Sequence, residues 1–183
     1  MNIGEANMLL AEADLLVTES EVATAIGRIA EEISFQLKES NPILLCVMNG
    51  GLIFTGHLLP KLMFPLEVDY LHATRYGYKT NGSKLQWTVR PQLDLRNRTV
   101  LLLDDILDEG LTLAAIADYC RSQGATEVFM AVLIEKLHLR KVTPGMRADF
   151  SGIEVGDRFL FGYGLDYKGY WRNAPGIYAV KGK

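Results

Sequence analysis

The sequence predicts an α/β fold, a parallel twisted sheet flanked by helices. Two observations predict it. From Pro42 onward, short apolar runs alternate with segments of helical periodicity. The run Ile43–Met48 is apolar without interruption, as in a strand covered on both faces, and Val100–Leu103 repeats the pattern. A chain of 183 residues is long enough for one domain with a substantial core.

The elements follow in chain order. Val22, Ile26, Ile29, Ile33 and Leu37 recur at helical spacing, and Thr18 with Glu21 forms a capping box. The spacing predicts a helix over about 19–38. Residues 1–40 otherwise show no pattern beyond this helix. "ILLCVM" (43–48) is a strand, broken by "NGG", and "LIFTGHLLPKL" is the next helix. "LEVDYLHATRY" is a strand, the polar stretch 77–84 an exposed hairpin or loop, and "LQWTVRP" its return. "RTVLLLD" (98–104) is another buried strand. "LTLAAIADYCRSQ" is a helix that Gly124 ends at the C′ position. "TEVFMAVLIEK" (126–136) is a strand, and short strands are expected at "ADFSGIEV", "FLFGY" and "GIYAV". In such sheets ligands bind at the carboxyl ends of the strands, so "MNGG", "DDILDEG" and "EK" should share one rim.

Composition narrows the function. Hydrophobic residues make up 49% and charged residues 22%, ordinary for a soluble protein. The formal net charge of −3 argues against non-specific nucleic-acid binding, which needs a basic surface. Cys46 and Cys120 form no Cys-x-x-Cys or Cys/His cluster, so neither a disulfide framework nor a zinc site is indicated. No apolar run approaches the ~18 residues of a membrane span, and a cytoplasmic location is expected.

The stretch "VLLLDDILDEGLT" gathers Asp104, Asp105, Asp108 and Glu109 at the end of a core strand. An acidic turn there is often only solvated, with one member capping the helix. Three details weigh against that. The acid pair follows directly on a buried run, Gly110 permits close approach of backbone to ligand, and Thr112 offers a hydroxyl at a helix start. Backbone N–H groups at the start of a helix favour phosphate. Those of Asp108, Glu109, Gly110, Leu111 and Thr112 could hold the anion. The carboxylates then serve sugar hydroxyls and a magnesium ion. A phosphorylated ribose carrying pyrophosphate combines all three demands.

The stretch resembles the phosphoribosyl pyrophosphate motif of the type I phosphoribosyltransferases. "LCVMNGGLIFTGHLL", "VDYLHATRYG", "VLIEK" and "DRFLFGYGLDYKGYWRN" resemble, in matching order, the hypoxanthine–guanine branch of that family, over roughly 43–173. The resemblance implies a single domain over 1–183, with its core at about 40–140, an irregular hood from the two terminal segments and a mobile loop at 77–84. It implies transfer of phosphoribose to hypoxanthine or guanine with Mg²⁺, small-molecule partners only, and a homodimer or homotetramer. Asp104 and Asp105 would bind the ribose hydroxyls and orient magnesium. Asp108 would handle the proton at purine N7. Lys136 would donate to the 6-oxo group, Phe159 would stack on the ring, and Leu160 would offer backbone groups. Asp166 would serve a second magnesium or the purine 2-substituent. Asn49, Gly50 and Arg172 would face pyrophosphate, with a cis Met48–Asn49 bond, and Arg75 and Tyr76 would precede the mobile loop.

Three departures stand out. Asn49 occupies a position where relatives place Lys, Arg75 one where many have Ser, and Glu109 one where the motif has Thr. Glu109 should turn outward or pair with a cation, since a carboxylate repels phosphate. His57, His72 and His138 are scattered and receive no role. A receiver domain needs its acid pair on the first strand, and a haloacid-type phosphatase needs Asp-x-Asp, so neither fits. A xanthine-preferring enzyme and a non-catalytic regulator of the same fold are the remaining alternatives. The regulator would normally add a basic face or a DNA-binding domain, and the sequence shows neither.

Overall fold

A computed structural model describes residues 1–75 and 85–182. The expected mobile loop and Tyr76 lie outside the described residues, as does the side chain of Arg75. The chain runs α1 (Ile3–Glu12), β1 (Asp14–Val17), α2 (Glu19–Leu37), β2 (Ile43–Val47), α3 (Gly51–Leu58), β3 (Glu67–Arg75) and β4 (Leu85–Val89). It continues with β5 (Thr99–Leu107), α4 (Leu111–Ser122), β6 (Glu127–Lys136), β7 (Phe150–Val155), β8 (Leu160–Phe161) and β9 (Ile177–Ala179).

The central sheet has six strands in the order β4-β3-β2-β5-β6-β7. Every neighbouring pair is parallel except β3 with β4, the return strand of the hairpin. Strand alternation divides the core into two layers. On β5, Leu101 and Leu103 pack with Ile26, Ile29, Ile33 and Phe54 of α2 and α3. Val100 and Leu102 pack on the opposite face with Leu113, Ile116, Ala117 and Cys120 of α4. With helices on both faces, β2 can be apolar throughout, and all five of its residues are buried. The α/β expectation therefore holds.

The predicted α2 is present, with Thr18 and Glu21 reciprocally bonded in its capping box. Strand β5 runs three residues past Asp104, because its pairing with β6 continues through Ile106↔Ile134 and Leu107↔Glu135. Asp104 and Asp105 thus belong to the strand itself. Residues 1–17 hold α1 and β1, which the sequence pattern did not reveal. β1, β9 and β8 form a separate antiparallel sheet that joins the two terminal segments. Trp171 Nε1–H donates to the Ala6 carbonyl at 2.6 Å, and Arg158 pairs with Asp14 at 2.7 Å, tying these segments together. Among the described residues no helix is long and apolar enough to cross a membrane.

Candidate active site

The carboxyl ends of β2, β5 and β6 form a rim that carries Asn49, Gly50, Asp104, Asp105, Asp108 and Lys136 of the sequence-predicted residues. Asp105 continues the inward series Leu101, Leu103 and therefore points toward α3. Gly50, the residue before α3, lies against it. A Cβ on Gly50 would come within 2.3 Å of the Asp105 carboxylate. Gly164, at φ +110°, packs in turn on the Gly50 carbonyl. The bond between Met48 and Asn49 is cis, as the resemblance implied.

The acid pair is electrostatically costly. Burial and the Asp105 charge push Asp104 well above the usual carboxylate range. Burial raises Asp105 as well, against a hydrogen bond from Asp104 and the charge of Arg172. Arg172 is fixed by donating to the Gly164 carbonyl at 2.6 Å and pairing with Asp166 at 2.5 Å. Asp166 also accepts from the Gly169 N–H at 2.6 Å, so both its oxygens are engaged. Two adjacent carboxylates with raised pKa values, Asp105 buried and Asp104 partly so, suit a hard oxygen-seeking cation or sugar hydroxyls, either of which would relieve their repulsion.

Helix ends distinguish the site from the scaffold. α1 and α2 both close their N-termini with capping boxes. α3 and α4 begin at Gly50 and Gly110 with no side-chain cap. Gly110 adopts φ +80°, which turns the chain sharply from the acidic stretch into α4. The first-turn N–H groups of α4 and the positive end of its dipole are thus left to an anion. Glu109 is half exposed and lies 3.9 Å from Arg140, the cation pairing expected of it.

Asp108 stands beside this turn, where Lys136 Nζ donates to its Oδ2 at 2.8 Å. His138 Nε2 lies 2.6 Å from Oδ1. Burial would raise the Asp108 pKa, but hydrogen bonds from Lys136 and His138 prevail and hold it below the usual value. Lys136 also lies 3.9 Å from Asp157, which pairs with Arg140. Asp108, His138 and Asp157 could geometrically hold a metal ion. Lys136 and Arg140 already neutralise this cluster, which disfavours a cation there. Phe159 is 47% exposed and sets its edge against Tyr167 at 5.3 Å, while Leu160 is buried in β8. Cys46 and Cys120 are free and buried, and burial pushes both thiols up, Cys120 to about 11.

The structure therefore joins Gly50, Asp105, Gly164, Arg172 and Asp166 in one group, and Asp108 with Lys136 in another, the two linked by β5. His138, Arg140 and Asp157 carry contacts that the sequence reading did not anticipate. One signal was available for the first. His138 follows Lys136 by two residues, the spacing of side chains on one face of an extended chain.

A family description, the phosphoribosyl transferase domain, matches residues 14–168. The chain belongs to the phosphoribosyltransferase family, and it is an enzyme of that class. Within the family it stands in the hypoxanthine–guanine branch. It is 34% identical over 172 residues to the hypoxanthine-guanine phosphoribosyltransferase of Aquifex aeolicus, covering 91% of this chain and 94% of the relative. It is 31% identical over 169 residues to the Bacillus subtilis enzyme of the same name, covering 91% and 92%. A crystal structure of a hypoxanthine phosphoribosyltransferase from Staphylococcus aureus shares the fold, with a TM-score of 0.88, 23% identity and 95% of each chain covered.

Proposed function

We propose that this chain transfers the 5-phosphoribosyl group of phosphoribosyl pyrophosphate to hypoxanthine or guanine, releasing pyrophosphate. The observation that carries the reading is the pairing of Lys136 with Asp108 at 2.8 Å, beside the uncapped start of α4. Nitrogen N9 of the purine attacks C1 of the ribose. The C1–O bond breaks, its electron pair leaves with pyrophosphate, and the proton on N7 passes to Asp108. The transition state carries oxocarbenium character, as in glycoside chemistry, and Asp108 faces that positive charge.

The α4 amides hold the 5-phosphate. Asp104 and Asp105 hold the ribose hydroxyls and would hold a magnesium ion, which would supply charge neutralisation for the leaving pyrophosphate. Gly50, the Asn49 backbone and Arg172 face the leaving group, where a planar guanidinium suits two phosphate oxygens. Phe159 forms a wall of the purine pocket, and Leu160 offers backbone groups to the purine edge. Lys136 donates to the 6-oxo group. An ammonium has nothing to accept from the amino group of adenine, and such a polar mismatch discriminates by ~10⁴ or more. Buried free thiols fit a reducing cytoplasm. Exposed apolar side chains such as Phe35 and Met63 supply surface for a homodimer or homotetramer.

The test is a spectrophotometric assay with phosphoribosyl pyrophosphate, Mg²⁺ and each free base in turn. Hypoxanthine and guanine should be converted and adenine should not. Adenine turnover comparable to that of hypoxanthine would remove the role given to Lys136. Absence of turnover with every 6-oxopurine would remove the reading as a whole.

A further inference from the structure

His138 is nearly enclosed, with its side chain only 5% exposed, and it lies outside every motif that carries the functional reading. Its two ring nitrogens are both engaged. Nδ1 accepts the backbone N–H of Arg140 at 3.1 Å. A nitrogen that accepts an N–H presents its lone pair, so the ring proton resides on Nε2. Nε2–H therefore donates to Asp108 Oδ1 at 2.6 Å. The tautomer, and with it the direction of the bond, is set by the backbone two residues away.

The segment carrying His138 is fastened to the acidic turn at three consecutive residues. Lys141 Nζ donates to the Leu107 carbonyl at 2.9 Å, His138 bonds Asp108, and the Val142 N–H donates to the Glu109 carbonyl at 2.7 Å. Segment and turn thus form one unit. Asp108 is held from two sides, by Lys136 on Oδ2 and by His138 on Oδ1. The two donors differ in what the reaction asks of them. Lys136 must turn to the purine 6-oxo group once base enters, which frees Oδ2. His138 has no such second duty, since its other nitrogen is spent on the backbone.

We propose that His138 is the positioning residue for Asp108, holding Oδ1 so that Oδ2 alone faces the purine N–H when Lys136 moves to the substrate. This rests on the transfer function proposed above and deepens it. His138 touches neither substrate in this arrangement. It fixes the rotation of the carboxylate about its Cβ–Cγ bond and leaves one basic oxygen aimed.

Three variants test it: His138→Leu, which cannot donate; His138→Gln, whose amide nitrogen reaches about as far as Nε2; and His138→Asn, which is too short. With hypoxanthine as acceptor, the Leu and Asn variants should lose roughly 10–100-fold in kcat, the scale of a misplaced catalytic group. Their KM for phosphoribosyl pyrophosphate should stay near that of the wild type, because the phosphate is held elsewhere. The acid limb of kcat/KM should move to higher pH, since Asp108 loses one of the bonds that lowers its pKa. Carbon-13 NMR of the Asp108 carboxyl should show the same upward displacement without any turnover. The Gln variant should restore both kcat and the acid limb. Wild-type kcat and acid limb in a folded Leu variant would overturn the proposal. So would an equal loss in Gln and Asn, which would mark the ring as packing alone. If the Leu variant fails to fold, the Gln and Asn pair decides by the same criterion. A wild-type protein inactive with all bases would instead overturn the transfer function itself, and the NMR titration would still report on the His138 contact.

Discussion

In the proposed reaction Asp108 takes the purine proton, and its contacts with Lys136 and His138 define what a substitution should do. Asp108→Asn keeps the shape and, with its one carbonyl oxygen, can accept from only one of Lys136 and His138, and it cannot take a proton. The variant should lose about 10²–10⁴-fold in kcat while its KM for phosphoribosyl pyrophosphate changes little. Steady-state kinetics with both substrates varied will check this, and near-normal kcat would exclude the base role. Asp104 makes the opposite point. Its raised pKa means that the folded protein binds that proton more tightly than the unfolded chain does. Its burden on stability is therefore absent below the ordinary carboxylate pKa and grows as pH rises through the raised value. Asp104→Asn retains an oxygen to accept the Asp105 N–H and removes the like charge. Its advantage over the wild type in thermal stability should be small near pH 4, where the burden has only begun to develop. At pH 7 it should melt higher by about 2–4 °C, the response of a chain this size to ~1 kcal/mol, while losing transfer activity. Calorimetry at the two pH values, without ligand, will show it. Asp104 and Asp105 were legible in the sequence because they follow directly on the apolar run Val100–Leu103, whereas Asp108 and Lys136 were singled out by the resemblance of their motifs to the family. The His138–Asp108 bond was not legible, because it spans 30 residues and forms beyond the last residue of β6.

At the scale of elements, legibility followed burial. β2 and β5 announce themselves because helices cover both faces and the positions Ile43–Val47 and Val100–Leu103 are apolar without a break. β1 buries only Val17 of its four residues, so no period marks it. α1 buries only Ala6, and an amphipathic stripe is correspondingly faint. The end of β5 was placed short because charge reads as the end of a strand, whereas hydrogen bonding to β6 carries the ladder through the acids. The packing of one loop against this strand gives a further expectation. Gly50 has ordinary helical dihedrals, so its backbone tolerates alanine and only space forbids it. The atoms that a Cβ would strike belong to the Asp105 carboxylate, the movable end of a side chain. Gly50→Ala should therefore fold with nearly unchanged melting temperature and lose at least about tenfold in kcat/KM for phosphoribosyl pyrophosphate, since the acid pair must turn away. Gly164 differs on both counts. Its φ is positive and its Cβ would meet the Gly50 carbonyl at 2.3 Å, an obstacle of backbone. Gly164→Ala should lower the melting temperature as well as the activity. Equal stability losses in the two variants would contradict this distinction.

The whole molecule brings its two ends together, and this links the N-terminus to the site. α1 contributes almost nothing to the core, with Ala6 its one buried residue. Yet the Ala6 carbonyl accepts the Trp171 indole N–H, and Trp171 precedes Arg172, the guanidinium that pairs with Asp166 and whose charge opposes the rise in pKa of both acids of β5. Trp171 itself adopts φ +66°, a left-handed conformation that a bulky residue holds only when its surroundings compel it. The α1 carbonyl is part of that compulsion. Removing residues 2–12 should therefore leave the six-stranded sheet intact, with unchanged far-ultraviolet circular dichroism apart from one short helix. The segment 166–172 should loosen, which hydrogen exchange of its amides will register as faster exchange than in the full chain. Arg172 would then be held by fewer constraints. If it faces pyrophosphate as proposed, KM for phosphoribosyl pyrophosphate should rise by about tenfold with kcat less affected, because a looser guanidinium would weaken ground-state binding before the proposed proton transfer at Asp108. Trp171→Phe, which keeps the ring face and deletes only the N–H, should reproduce a smaller part of the same change. If the truncated chain exchanges and binds as the full one does, the N-terminal helix is a passive cover, and Arg172 is fixed by the Gly164 carbonyl and Asp166 alone.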